Sequence, residues 1–286
     1  MTRLRSQRYL GIDLSGAKNN KTSVAVIEFF PEAKKIFLLD IQDRMGQKKS
    51  DDSDIELINF IKEEKNKLKK VGINAPLQYP LCVHCPRKKC PLPKKCTVPP
   101  VKWGIQKMNA LSKKKNIHED TPKIKSFTPY TQRAVEIWLR YEVFPKINKN
   151  FQFEIDETLG GNKGPLTARA HFLQKHLGSI ETVEVLPKLT LAILVQNLSL
   201  NQRYFKRYRD LEEGTLARRK LLDELLEWSE IFVYEKDIKK LCEQLSSFDA
   251  FLAAYTALLS DLNETVTHPK NYPLDGGWIE YPKIIK

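Results

Sequence analysis

The sequence predicts an α/β protein in which a mixed sheet flanked by helices carries an inserted basic, cysteine-rich module. Short β-rich runs alternate with helical patterns along much of the 286 residues. Between residues 80 and 126, proline, lysine and cysteine replace that periodicity. A chain of this length buries a sizeable core, and it contains no run of 18 or more apolar residues, so we expect no transmembrane helix.

The first 79 residues predict a meander followed by a helix and a strand. Runs 9–12, 23–30 and 36–41 are rich in β-branched and aromatic residues, and glycine and asparagine occupy the turn between the first two. Asp54 is an N-cap candidate for a helix that extends to about Lys69. An apolar strand over residues 71–77, stopped by Pro76, completes this half of the sheet.

The second half predicts helices and two further strands. The helical patterns cover residues 131–141, 167–176, two or three segments within 189–228, and 246–262, while 183–187 and 276–282 have strand patterns and 160–164 a glycine-rich turn. We therefore assign residues 1–79 and 180–286 to the core, 80–126 to the inserted module, and 127–179 to the helical part of the insertion.

The charge of the chain is concentrated in the insertion. Of a formal net charge of +13, the stretch 82–125 carries +10, since twelve lysines and arginines are opposed only by Glu119 and Asp120. Such a local excess favours polyanionic partners such as DNA or RNA. Arg87, Lys88 and Lys89 are candidate substrate-binding residues in this stretch, although a solvated lysine-rich loop is the alternative.

The start of the chain has no apolar signal-peptide core. We therefore expect a cytoplasmic protein with reduced thiols and no membrane contact. Cys82, Cys85, Cys90 and Cys96 lie within fifteen residues of each other, and four thiolates close a tetrahedral zinc site. Because the module has few apolar residues, the metal would supply its folding energy. An iron–sulfur cluster, free thiols and disulfides are the alternatives.

Two other residues have simpler interpretations. His84 could replace one cysteine ligand but is more simply a bystander. Cys242 lies far away on a helix and is more simply an apolar filler.

Asp13 is the leading candidate for a catalytic metal ligand. It closes the first strand, where a carboxylate is well placed to bind Mg²⁺ or Mn²⁺. The alternative is that Asp13 only forms hydrogen bonds within its own turn. The polar turn that follows, with Lys18, could grip a phosphate, although it lacks the glycine-rich run of a P-loop.

Three further positions could converge with Asp13 if their strands share one sheet. Asn74 ends the fourth strand, Glu184 lies on the fifth, and Asp249 lies near the start of the last helix. Two-metal phosphoryl chemistry requires several carboxylates around cations about 4 Å apart. Taken singly, each has a simpler role: a turn residue, an exposed strand residue, and a helix residue favoured by the dipole.

Several short motifs resemble one uncharacterised family, a domain of unknown function whose members are described as predicted nucleases with an RNase H-like fold. The resemblance extends from Tyr9 to Pro282. Its motifs are Gly11-Ile12-Asp13, Val71-Gly72-Ile73-Asn74-Ala75-Pro76-Leu77, Phe127-Thr128-Pro129-Tyr130-Thr131-Gln132-Arg133, Val183-Glu184-Val185-Leu186-Pro187 and Phe248-Asp249-Ala250-Phe251-Leu252-Ala253-Ala254.

The resemblance implies an RNase H-like sheet with acidic residues at its strand ends. Asp13 would be the first-strand metal ligand, Asp249 the ligand on the last helix, and Glu184 a third acidic member. Asn74 departs from the pattern, which has aspartate before Ala-Pro. An amide oxygen can coordinate Mg²⁺ but brings no charge, so this departure weakens metal binding.

Two more segments have both a binding and a structural interpretation. Arg133 opens a helix and could bind a phosphate bidentately, or it could pair with Glu136 or Glu142. The aromatic residues in the basic run 203–209 could stack on bases, but helical periodicity favours a core position for them.

Three functions are consistent with these observations. The first is a metal-dependent nuclease acting on DNA or RNA. The second is a catalytically inactive nucleic-acid-binding protein that retains the fold. The third is an actin-like or sugar-kinase-like phosphotransferase, which would need a second glycine-rich phosphate loop. The glycine clusters at 160–164 and 276–277 lack the required strand–turn–strand context.

Overall fold

A computed structural model describes residues 5–16, 22–45, 53–113 and 127–285. In chain order, the strands are β1 (Gln7–Asp13), β2 (Ser23–Phe30), β3 (Lys35–Gln42), β4 (Leu68–Ile73), β5 (Thr182–Val185), β6 (Ile231–Phe232) and β7 (Ile279–Glu280). Within the described residues they form one mixed sheet in the order β6-β3-β2-β1-β4-β5-β7. β2 is antiparallel to β1 and β3, and the other pairs are parallel, so β1, β4 and β5 end at the same edge.

Helices cover both faces of the sheet. They are α1 (Ser53–Glu64), α2 (Pro99–Lys113), α3 (Ala134–Trp138), α4 (Lys163–Leu177), α5 (Pro187–Asn197), α6 (Gln202–Arg207), α7 (Gly214–Ser229), α8 (Glu235–Glu243) and α9 (Leu245–Asp261). None of the helices in the described residues is long and apolar enough to cross a membrane.

Alternation along the strands divides the core into two clusters. Leu10 and Ile12 of β1 pack with α1 and α4 on one face, whereas Tyr9 packs on the opposite face with α5 and α9. Asp13 has the same parity as Tyr9 and therefore lies on the α9 face. Asp13, at the end of β1, thus lies on the face of the sheet that α9 covers.

Two glycines allow α9 to approach the sheet closely. A Cβ on Gly11 would lie 1.9 Å from the carbonyl oxygen of Ala250 and 2.3 Å from the amide nitrogen of Ala254. A Cβ on Gly72 would lie 2.3 Å from the carbonyl oxygen of Ala253. Such distances are far below van der Waals contact, so only glycine permits this packing.

The predicted mixed α/β architecture is confirmed, but several element boundaries are wrong. The helix predicted to continue to Lys69 ends at Glu64, because the chain turns there and Leu68 pairs with Arg8 of β1. The glycine-rich turn at 160–164 is shorter than predicted, since α4 already begins at Lys163.

Residues 80–126 contain a 15-residue helix, α2, in place of the irregular chain predicted throughout. The helix begins at Pro99, and proline is favoured at the first position of a helix because the N–H that it lacks would have no partner within the helix there. Residues 114–126 of the predicted module lie outside the described residues. The short strand β6 was not predicted, and α8 is the helix expected around Cys242, for which no bounds were predicted.

The helical part of the insertion contributes to both core clusters. α3 supplies Ala134 and Val135 to the cluster on the α9 face, and α4 supplies Leu166, Ala170 and Leu173 to the opposite cluster. Segment 127–179 is therefore packed against the sheet and places Arg133 and Lys163 at the edge where β1, β4 and β5 end.

Candidate metal and phosphate site

The candidate site lies at the carboxyl ends of β1 and β4, beneath the second turn of α9. In the register of the sheet, Ile12 lies beside Ile73, so the next residues, Asp13 and Asn74, are neighbours. The amide Nδ2 of Asn74 donates a 2.6 Å hydrogen bond to Oδ1 of Asp13. The backbone N–H of Asn74 also donates to the carbonyl oxygen of Ile12, 2.8 Å away. Asn74 is therefore fixed to β1 at two points.

Asp249 completes an acidic pair with Asp13. It is 1% exposed, and its Oδ1 has no hydrogen-bond partner among the described residues. Its Oδ2 accepts a 2.9 Å hydrogen bond from Nη1 of Arg209, whose side chain is 44% exposed. A buried carboxylate oxygen without a donor costs free energy unless a proton or a cation satisfies it.

The two carboxylates influence each other's protonation. Burial raises the pKa of Asp13 to about 8, and the negative charge of Asp249 contributes to this rise. The hydrogen bond from Asn74 and the positive charges of Arg209 and Lys163 oppose it. Burial likewise raises the pKa of Asp249, against the charge and hydrogen bond of Arg209. The pair therefore favours a bound cation or proton.

Glu184 lies at the same edge but is engaged in a buried ion pair. Its Oε1 and Oε2 each accept a 2.7 Å hydrogen bond from the guanidinium of Arg133, and Oε2 also accepts one from the backbone N–H of Leu77. Arg133 pairs in addition with Glu136, its neighbour on α3. Both oxygens of Glu184 thus accept hydrogen bonds, and its charge is already balanced by Arg133.

Arg133 is 3% exposed and both its carboxylate partners are buried. Its pairing with Glu136 agrees with one of the two structural partners considered from the sequence. The other partner is Glu184 and not Glu142. Because Nε, Nη1 and Nη2 of its guanidinium all donate to Glu136 or Glu184, Arg133 holds α3 to β5.

A cavity of about 250 Å³ opens beside Asp249. Arg133, Glu136 and Glu184 form its buried floor, while the exposed Glu154 and Asp156 lie at its mouth. Its further basic residues are Lys163, Lys188 and Arg209.

These three basic residues were not predicted as site residues from the sequence. A usable signal was present, since Lys163 and Lys188 each lie at the start of a helix after a turn or a strand.

The other predicted substrate-binding residues lie elsewhere. Lys18 is outside the described residues. Arg87, Lys88 and Lys89 are exposed on the cysteine-rich module, and they are not among the described residues that line the cavity. In the basic run 203–209, Phe205 and Tyr208 are buried in the core, as periodicity indicated.

The four clustered cysteines lie in short turns before α2. Cys82, Cys85 and Cys96 are partly buried and Cys90 is exposed, and no disulfide joins them. Burial raises the pKa of Cys82, and so does the proximity of Cys96, Cys85 and Cys90. Across residues 5–16, 22–45, 53–113 and 127–285, no group of three or more His, Cys, Asp or Glu side chains is arranged to hold a metal ion.

His84 and Cys242 have structural surroundings. The imidazole of His84 stacks edge-on against Tyr79, with ring centroids 5.2 Å apart. Cys242 is buried in the main core cluster on α8, as expected for an apolar filler.

No known protein family, curated protein or solved structure gave a significant match to this chain. A function for this chain is therefore proposed from the geometry of the site.

Proposed function

We propose that this chain is a divalent-cation-dependent nuclease that hydrolyses phosphodiester bonds in DNA or RNA. The observation that carries the proposal is the convergence of Asp13 and Asp249 at one sheet edge, with Oδ1 of Asp249 buried and without a partner. A cation between the two carboxylates would remove both the repulsion and the unsatisfied oxygen.

The residues present fit a hard cation such as Mg²⁺ or Mn²⁺. Asp13, Asp249 and the side-chain oxygen of Asn74 are oxygen ligands of the type that these cations prefer. When bound, the cation would supply Lewis acidity towards a phosphoryl oxygen. The mixed sheet with acidic residues at its central strand ends also agrees with the RNase H-like fold that the motif resemblance implies.

Arg209 has a distinct role in this proposal. Its guanidinium neutralises Asp249 while no cation is bound, and its exposed side chain is able to leave Asp249 for a phosphate. Lys163 adds a second positive charge near both carboxylates. These side chains would orient the phosphodiester and balance its charge beside the acidic pair.

The test is cleavage of labelled single-stranded, duplex and branched DNA and RNA with Mn²⁺ or with EDTA. We expect wild-type cleavage that is lost in EDTA and in both Asp13→Asn and Asp249→Asn. Asp223→Asn on the exposed face of α7 is the matched control and should retain full activity. Cleavage that persists in both site variants would contradict the proposal.

A second candidate is a nucleic-acid-binding protein without catalysis. It is favoured by the small number of available carboxylates, since Asn74 is neutral and Glu184 is held by Arg133. Salt-sensitive binding without cleavage by wild type, under the same conditions, would establish this candidate in place of the nuclease.

We also propose that Cys82, Cys85, Cys90 and Cys96 bind a structural zinc ion. The residue types support this proposal: four thiols lie within fifteen residues in a segment of short turns with little apolar core, and a bound zinc would draw them together and supply folding energy. We expect one zinc per chain in protein purified without chelators, and its loss in Cys85→Ser. Cys242→Ser is the control and should retain zinc, whereas zinc-free wild type would contradict the site.

A further inference from the structure

A second cavity adjoins the site and shares two of its residues. This cavity of about 370 Å³ shares Lys188 and Arg209 with the cavity beside Asp249. Its other lining residues are Lys149, Asn150, Gln152, Phe205, Lys206 and Tyr208. We call this second cavity the basic groove. Lys188 and Arg209 line both cavities, so the basic groove lies next to the cavity that Asp249 lines.

The two cavities differ in charge. The cavity beside Asp249 is lined by carboxylates as well as cations, including Glu154 and Asp156 at its mouth. Among the described residues, the lining of the basic groove contains four cationic side chains and no carboxylate. The acidic end is therefore suited to a cation, and the basic groove is suited to anions.

Lys188 marks the point where the two environments meet. Its ammonium lies 4.6 Å from the centre of the Phe153 ring, and none of the described carboxylates forms an ion pair with it. Burial lowers the pKa of Lys188, and the neighbouring charge of Arg209 contributes to this shift, while the charges of Asp249 and Asp156 oppose it. An anion between Lys188 and Arg209 would relieve that repulsion.

We propose, on the basis of the nuclease function above, that the basic groove binds backbone phosphates of a single-stranded nucleic acid on one side of the scissile bond. Arg209 and Lys188 would contact the phosphate nearest the acidic pair. Lys206 and Lys149 would contact the next one outward. A groove of this volume accommodates one strand, whereas the stacked pairs of a duplex would remain outside it.

The groove recognises the backbone and not the bases. Its two aromatic residues, Phe205 and Tyr208, are buried at 4% and 1% exposure and offer no free ring face for stacking. Recognition therefore depends on phosphate charge, with little preference for base identity. This location also differs from the cysteine-rich module that the sequence indicated.

The experiment measures binding in EDTA, so that cleavage plays no part. The probes are a fluorescein-labelled 12-nucleotide DNA of mixed sequence, its RNA counterpart, and the corresponding DNA duplex. Fluorescence anisotropy over a range of salt concentrations compares wild type with Lys149→Gln/Lys206→Gln. The matched control is Lys88→Gln/Lys89→Gln, which removes the same charge from the cysteine-rich module. All four lysines are exposed, so we expect unchanged folding.

We expect the groove variant to raise the dissociation constant for single strands about tenfold and to reduce the salt slope by roughly 1.4, since each single-strand phosphate contact contributes about 0.7. The control should remain within about twofold of wild type. The proposal is overturned if wild type binds no single strand, if it binds the duplex as tightly, or if only the control loses affinity.

The two proposals fail separately in this design. Loss of single-strand binding in the groove variant, together with no Mn²⁺-dependent cleavage by wild type, would retain the groove and reject the nuclease. Cleavage by wild type, together with equal binding by both double variants, would retain the nuclease and reject the groove.

Discussion

The side-chain amide of Asn74 donates a 2.6 Å hydrogen bond to Oδ1 of Asp13, across the boundary between β4 and β1. This bond lowers the pKa of Asp13 against the effect of burial. Asn74 therefore stabilises the charged form of Asp13 while no cation is present. An aspartate at position 74 would add a third carboxylate and remove the hydrogen-bond donor. Asparagine at this position therefore favours a stable site without a cation, whereas aspartate would favour tighter cation binding.

The first prediction concerns Asn74→Asp. We expect it to lower the melting temperature in EDTA at pH 8, because a third carboxylate adds negative charge beyond what Arg209 and Lys163 offset. With Mn²⁺, we expect a larger rise in melting temperature than in wild type. A tenfold tighter site adds about 1.4 kcal/mol at saturating cation, which corresponds to roughly 3–6 °C for a chain of this size.

Thermal unfolding with and without Mn²⁺ measures both effects of Asn74→Asp. The exposed Asn109→Asp on α2 makes the same chemical change away from the site and should alter neither quantity. An equal response to Mn²⁺ in Asn74→Asp and wild type would show that position 74 does not contact the cation.

The second prediction concerns the pH dependence of stability at Asp13. Its pKa rises from an ordinary 3.8 to about 8 in the fold, so the folded state holds a proton that the unfolded chain has lost between these values. Stability in EDTA therefore falls as pH rises from about 4 to about 8, and changes little above that. Asp13→Asn removes this titration while its side-chain oxygen still accepts the bond from Asn74.

We expect the melting temperature of Asp13→Asn to exceed that of wild type by a margin that grows between pH 5 and pH 8. Each kcal/mol of relieved repulsion corresponds to about 2–4 °C. Unfolding curves in EDTA at several pH values provide the measurement, and the control Asp223→Asn should follow wild type. A constant difference across this pH range would mean that Asp13 is ionised normally in the fold.

The third prediction separates the two roles considered for Glu184. If its role is the buried pair with Arg133, Glu184→Gln should destabilise the fold by about 3 kcal/mol, since it removes one partner of a buried charge. The stabilisation by Mn²⁺ should then equal that of wild type. Glu181→Gln breaks the more exposed pair with Lys70 and should cost less than about 1 kcal/mol.

Urea unfolding with and without Mn²⁺ provides the measurement for both glutamate variants. Loss of the Mn²⁺ response in Glu184→Gln alone would instead make Glu184 a cation ligand, as the motif resemblance implies. That result would require the pair with Arg133 to open when the cation binds.

The sequence predicted the fold best where local pattern and tertiary pairing agree. Strands β1 to β3 and helix α9 have strong periodicity, and their limits differ from the prediction by only a few residues. At α1, lysines that favour a helix continue past Glu64, which led to the prediction of a longer helix. The chain instead forms strand β4 from Leu68, because Leu68 pairs with β1. At α2, the abundance of proline and lysine concealed an amphipathic helix.

At the site, the sequence indicated which acidic residues share an edge but not how their charges are compensated. Asp13 ends β1 and Asn74 directly follows the adjacent strand β4, so their proximity results from the sheet register. The pairing of Glu184 with Arg133 joins residues 51 positions apart, and no local pattern signals it. Arg209 was obscured because its neighbours Phe205 and Tyr208 carried the stronger core signal.

The last prediction concerns the glycines that hold α9 against the sheet. Asp249 reaches Asp13 only because Gly11 and Gly72 bring β1 and β4 into contact with the backbone of α9. Gly11→Ala would place a methyl group 1.9 Å from the Ala250 carbonyl oxygen. Because that atom belongs to the backbone of α9, the clash cannot be relieved by rotating a side chain. We expect a loss of more than about 3 kcal/mol, at the upper end of overpacking effects.

The displacement of α9 should also separate the acidic pair. We therefore expect Gly72→Ala, with its less severe 2.3 Å contact, to remain folded but to lose most of the Mn²⁺ stabilisation expected for wild type. Gly164→Ala on α4 is the matched control: no atom lies within 4 Å of its added Cβ, and a gain of about 0.5–1 kcal/mol is expected. A Gly72→Ala protein with an unchanged Mn²⁺ response would show that the cation does not depend on the position of α9, and Asp249 would then not be one of its ligands.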